Sequence, residues 1–122
     1  MNRDLDLARL ILQKIEKCED PWGLQEKPEI DGYNSNQVAY HIKLLHEAGL
    51  IEAHDISSMG PDGFDWMPGN LTWHGHEFLD ATKDNSIWNK AKEFLVKPGV
   101  SITFDILLAW LKMEAKEKIG LP

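Results

Sequence analysis

The sequence predicts a mostly helical α+β fold: a winged helix-turn-helix-like domain with a two- or three-stranded wing sheet and extra C-terminal helices. Three observations carry that expectation. Residues 35–51, SNQVAYHIKLLHEAGLI, read as an amphipathic helix that stops at Ala48-Gly49 and runs directly into a buried strand. Residues 50–54 and 71–73 read as paired strands, with Gly and Pro clustered between them. Helical patterning then returns and continues to about residue 118.

The elements follow in chain order. Residues 3–18 form the first expected helix. Leu5, Ala8, Ile11, Leu12 and Ile15 share one apolar face, and Asp4 and Asp6 stand in the first turn, where the helix dipole favours negative charge. Residues 19–34 are broken by Pro21, Gly23, Pro28 and Gly32 and read as a loop with one short strand at 29–33. The helix at 35–48 has Asn34 or Ser35 as its cap, with Gln37 three residues after Asn34, as in a capping box. Val38, Ile42 and Leu45 point to one side. Asn36, Tyr40, Lys43 and Glu47 form a stripe on nearly the opposite side, taking about 100° per residue. Gly49 can adopt the left-handed conformation that ends a helix.

Residues 55–70 hold Gly60, Pro61, Gly63, Pro68 and Gly69. A loop of that length is uncommon in a compact domain and is often functional. Helices are expected at 74–81 and at 85–97, the second with Trp88, Ala91, Phe94 and Leu95 inward and Pro98-Gly99 as its stop. Ser101 caps a last helix. There Ile102, Phe104, Ile106, Leu107, Leu108, Trp110, Leu111 and Met113 are apolar around most of the circumference, so it is buried on several sides. Either its own domain covers it or a second subunit does. Leu107, Leu108, Trp110 and Leu111 are therefore the candidate dimer helix. The expected division is a winged-helix domain at 1–82 and a helical extension at 83–122 packed on the same domain.

Composition narrows the function classes. A chain of 122 residues with 43% hydrophobic content can build a modest core and is not disordered. The lone Cys18 cannot form an internal disulfide, which fits a reducing cytoplasm. No apolar run reaches about 18 residues, so no membrane span is expected. Net charge is −7, which weighs against non-specific nucleic-acid affinity, since that depends on Lys and Arg at phosphates. The five histidines lack CxxC or HExxH spacing, so no metal and no cofactor is expected. Cys18 has no evident His partner, and no phosphate-cradling glycine loop is present, so no enzyme is expected.

The order of recognition-type helix, Gly-Leu-Ile, wing, then Leu-Thr-x-x-Gly-x-x-Phe-Leu is similar to that of many winged-helix proteins. It stands here as NQVAYHIKLLHEAGLIEA followed by LTWHGHEFLDA. Together with NRDLDLARLILQKIE near the start and LTWHGHEFLDATKDNSIWNKAK, most of the chain resembles a family of small bacterial and prophage-encoded proteins defined as a domain of unknown function. That resemblance implies the fold, a phage or prophage context and a regulatory role. The chain departs from the common helix-turn-helix pattern at 19–34, where the first helix of the motif is degenerate or absent. That helix normally crosses the DNA backbone.

Two functions follow as expectations. The leading one is a DNA-binding transcriptional regulator of phage type, a homodimer on double-stranded DNA, with Asn36, Gln37, Tyr40 and Lys43 as readers. The alternative is a protein-interaction module. Residues 51–73 contain Glu52, Asp55, Asp62 and Asp65 and no Lys or Arg, so phosphates would repel this wing. Met59, Phe64, Trp66 and Met67 in the same stretch would then meet a basic protein partner, or else Phe64 and Trp66 fold back onto the core. Two further sets of cations, Arg3, Arg9, Lys14 and Lys17 early and Lys83, Lys90, Lys92 and Lys97 late, read as solvated helix faces, with a modest positive patch as the alternative.

Overall fold

The computed structural model describes residues 1–95 and 104–120. Among them are five helices, α1 (Leu5–Glu16), α2 (Ser35–Glu47), α3 (Trp73–Ala81), α4 (Asn85–Leu95) and α5 (Phe104–Lys118), and two strands, β1 (Ile51–Asp55) and β2 (Trp66–Leu71). The architecture is α+β and mostly helical. The chain divides into two compact units, 1–76 and 77–122, with the division inside α3, where the sequence had placed it after residue 82.

In the first unit α1 begins at its Asp4 cap, whose carboxylate accepts from the Leu7 amide. Leu7, Ala8, Ile11, Leu12 and Ile15 are its buried face, Leu7 taking the role expected of Leu5. α2 is closed at its start by a complete capping box. Asn34 Oδ1 accepts from the Gln37 amide and the Gln37 side chain accepts from the Asn34 amide. Val38, Ala39, His41, Ile42 and Leu45 face inward and pack on α1 and the sheet. Gly49, at φ +77°, ends the helix.

β1 and β2 pair antiparallel, with Asp55 opposite Trp66, His54 opposite Met67, Ala53 opposite Pro68 and Ile51 opposite Leu71, and an irregularity between Ile51 and Ala53. The sheet, expected with two or three strands, therefore has two among the described residues. β2 begins at Trp66, five positions ahead of the strand expected at 71–73. Pro68-Gly69 had read as a turn. A two-stranded ribbon leaves each strand one open edge, where a proline is tolerated. The true loop is 56–65. The strand expected at 29–33 is not formed, and 19–34 is irregular throughout.

The junction from hairpin to α3 explains the LT-x-x-G motif. Thr72 donates its amide to Leu50 O and its hydroxyl to Gly49 O, and the same hydroxyl accepts from the Gly75 amide. A Cβ at Gly75 would stand 2.0 Å from Leu50 O, so only glycine fits. The motif is a joint between α2, β1, β2 and the first turn of α3.

In the second unit α4 packs on α5. Phe78 and Trp88 meet edge to face at 6.3 Å, and Phe94 stacks on Trp110 at 6.3 Å. Asp84 accepts from the Ser86 and Ile87 amides at the start of α4 and pairs with Lys118 at the end of α5. The expected stop at Pro98-Gly99 and the Ser101 cap lie outside the described residues.

Candidate functional site

α2 and the hairpin position the residues expected to contact a ligand. On the outward stripe Asn36 is exposed and Tyr40 is half-exposed. The other two expected readers are committed elsewhere. Gln37 spends its carboxamide oxygen on the capping box. Lys43 lies 3.7 Å from Glu47 and 5.9 Å from the centre of the Tyr40 ring. Asp55 on β1 also feels this cation. Its carboxyl is held below the usual carboxylate range, first by hydrogen bonds from Ser57 and then by the charge of Lys43. The only Lys or Arg on α2 is thus paired with a carboxylate one turn on.

The buried side of α2 holds a polar network. His41 is 2% exposed. Its Nε2 lies 2.8 Å from the Asp4 amide, which can only donate, so Nε2 accepts. Nδ1 then carries the proton and donates to Gln37 O at 2.8 Å. The Tyr33 hydroxyl donates to the other oxygen of the Asp4 cap at 3.0 Å. Burial and the neighbouring Asp4 carboxylate raise the Tyr33 phenol above its ordinary value. This histidine is a fastener between α1, α2 and the segment before α2.

The 56–65 loop is closed by hydrogen bonds from Ile56 N to Asp65 O, from Ser58 N to Gly63 O and between Ser57 and Asp65. At its surface stand Ile56, Phe64 and Met59, the last fully exposed. Met67 and Trp66 are different. Both lie in β2 and are half-buried, and the Trp66 ring lies 5.8 Å from the His46 ring. The expected interaction loop therefore separates into an exposed tip with Met59 and Phe64, and a wall with Trp66 and Met67.

Trp66 of that wall bounds a feature the sequence did not reveal. A cleft of about 630 Å³ runs between segment 26–33, α2 and the start of β2. Pro28, Ile30, Tyr33, Val38, Ile42 and Trp66 supply its apolar lining. Glu26, Glu29 and Asp31 are exposed at its edge. Lys27, also lining it, is paired with Asp65 at 2.6 Å.

Residues 2–101 match the family described as hypothetical protein (DUF2513). The chain belongs to this family. It is also 36% identical over 107 residues, 88% of this chain and 89% of the other, to a Haemophilus influenzae protein named as an uncharacterized protein. No solved structure matches. The family match spans α1 through α4 and so includes residues 2–76 of the first unit, with α2, the hairpin and the cleft.

The four residues expected to form a dimer helix divide in the folded chain. Leu107, Leu108 and Leu111 are buried within it and Trp110 is half-buried against Phe94. The expectation assigned this face to either the chain or a partner, and these three leucines are already covered. In the same unit Lys83, Lys90, Lys112 and Lys118 pair with Asp80, Glu114, Glu77 and Asp84. Among the described residues no helix is long and apolar enough to cross a membrane.

Proposed function

We propose that the first unit is a winged helix-turn-helix-like scaffold used to dock a protein with a basic surface. The order α1, irregular segment, α2, hairpin matches such a scaffold with the first motif helix lost. The observation that carries the docking reading is the charge around α2. Lys43 is paired with Glu47, and residues 51–73 hold Glu52, Asp55, Asp62 and Asp65 with no Lys or Arg among them. Duplex phosphates would meet net repulsion here. A basic protein would be steered in, with Ile56, Met59 and Phe64 as apolar contacts at the tip.

The reading that led from sequence alone, a DNA-binding transcriptional regulator in a phage or prophage setting, keeps one specific support. Asn36 and Tyr40 lie accessible on a helix followed by a hairpin. Fluorescence anisotropy with mixed-sequence duplex DNA at low salt separates the two. The docking reading expects no binding. Duplex binding that falls steeply with salt, and weakens further in Tyr40→Ala and Lys43→Ala, would restore the regulator. The positive arm is affinity capture with Met59→Asp/Phe64→Asp beside the parent chain. Partners should be lost with circular dichroism unchanged. Retention of the same partners would refute tip docking.

A further inference from the structure

The cleft beside α2 stands where a helix-turn-helix protein would carry the first helix of the motif. Here residues 19–34 line it without filling it with a helix. Three properties say what would occupy the space. Its inner surface is mixed, with apolar contact offered by the half-buried Ile30 and Trp66 while Pro28, Val38 and Ile42 are buried. Its rim is acidic: among the described residues Glu26, Glu29 and Asp31 make no ion pair, Lys27 is paired with Asp65, and the Lys14 ammonium donates to Glu29 O at 3.3 Å. Its outer wall has unused main chain. Among the described residues, the amides of 24–27 and 29–32 donate to no other backbone group.

From these we infer that the cleft binds a short basic segment of a partner protein, with one or two apolar side chains seated against Ile30 and Trp66 and Lys or Arg side chains against Glu26, Glu29 and Asp31. This rests on the protein-docking reading and gives it a site and a ligand chemistry. An apolar anchor supplies contact energy, and complementary charge supplies selectivity and approach. Free amides along the wall can also receive carbonyls of an extended partner backbone, the way exposed main chain recruits peptides elsewhere. An acidic segment would be repelled by the rim. A purely polar basic segment would leave the apolar surface unused.

The experiment uses the full chain, labelled with ¹⁵N, titrated with three synthetic peptides of about twelve residues. One alternates Lys with Leu, one replaces Leu by Ser, and one replaces Lys by Glu. The Lys/Leu peptide should move the amide signals of 26–33, Val38 and Ile42 and the Trp66 indole. Its affinity should exceed that of the other two by at least tenfold. Glu29→Lys/Asp31→Lys, both exposed, should lower it by at least tenfold with the spectrum otherwise retained. Equal binding of the Lys/Ser peptide would overturn the inference, since charge alone would then suffice. So would shifts confined to the 56–65 tip, a result that leaves tip docking standing and removes the cleft. Unaltered affinity in the double variant, or no binding by the Lys/Leu peptide, would also overturn it.

Discussion

Replacing His41 with Phe tests whether the buried histidine fastens the first unit. Phe keeps a flat ring, larger than imidazole, in a site that is 2% exposed, so any overpacking adds to the cost of the lost hydrogen bonds. Two hydrogen bonds disappear, one from the Asp4 amide at 2.8 Å and one to Gln37 O at 2.8 Å. Each contributes about 1 kcal/mol net. The Gln37 carbonyl can still serve the helix ladder, but the Asp4 amide, at the α1 cap, loses its acceptor. A stranded donor adds roughly 1 kcal/mol more, for a total of about 3 kcal/mol. For a chain of this size that corresponds to a melting temperature lower by about 10 °C. The assay is thermal unfolding followed by circular dichroism, with Tyr33→Phe as a graded control. That variant removes only the Tyr33 hydroxyl bond to Asp4 at 3.0 Å and should cost about 1 kcal/mol. A His41→Phe protein that melts within 2 °C of the parent, as an order-of-magnitude threshold, would refute the fastening role.

Other outcomes follow from packing and charge. Gly75→Ala forces a Cβ to within 2.0 Å of Leu50 O and should cost roughly 3 kcal/mol, read as loss of soluble protein or a large drop in urea midpoint. Leu111→Ala, at a fully buried position, should cost about 2–5 kcal/mol by chemical denaturation, whereas exposed Met113→Ala should stay within about 0.5 kcal/mol. Equal effects would return Leu111 to the surface as a dimer contact. Asp84 is held far below its ordinary value, first by hydrogen bonds from Lys118, Ser86 and the Ile87 amide. A depressed carboxyl stabilises the fold above its unfolded value near pH 4, and that contribution is lost as pH falls below it. The melting temperature of the parent should therefore fall more steeply below pH 4 than that of Asp84→Asn. Parallel pH profiles would remove the assignment.

Much of the fold was readable because its signals are local. Asn34 and Gln37 cap α2 through contacts three residues apart, and Gly49 ends it through its own backbone angle. The inward face of α2 follows from periodicity alone. β2 was harder. Pro68 and Gly69 carry turn propensity, and only pairing with β1 shows them as strand. The candidate site was least legible. Gln37 and Lys43 look like free readers on a helical wheel. Gln37 is engaged by the capping geometry, and Lys43 by Glu47 and the Tyr40 ring on the same helix. The cleft joins residues from 26 to 66 and has no periodic signature at all.

The Thr72–Gly75 joint has a consequence for kinship. Its four hydrogen-bonding and steric demands are met entirely by this chain, through Gly49, Leu50, Thr72 and Gly75. A segment that stitches a protein to itself leaves nothing over for a stranger. These letters are held by contacts within the chain, so what they keep still is the fold. Two chains alike at this seam are cut to one pattern, and each is at liberty to keep its own company.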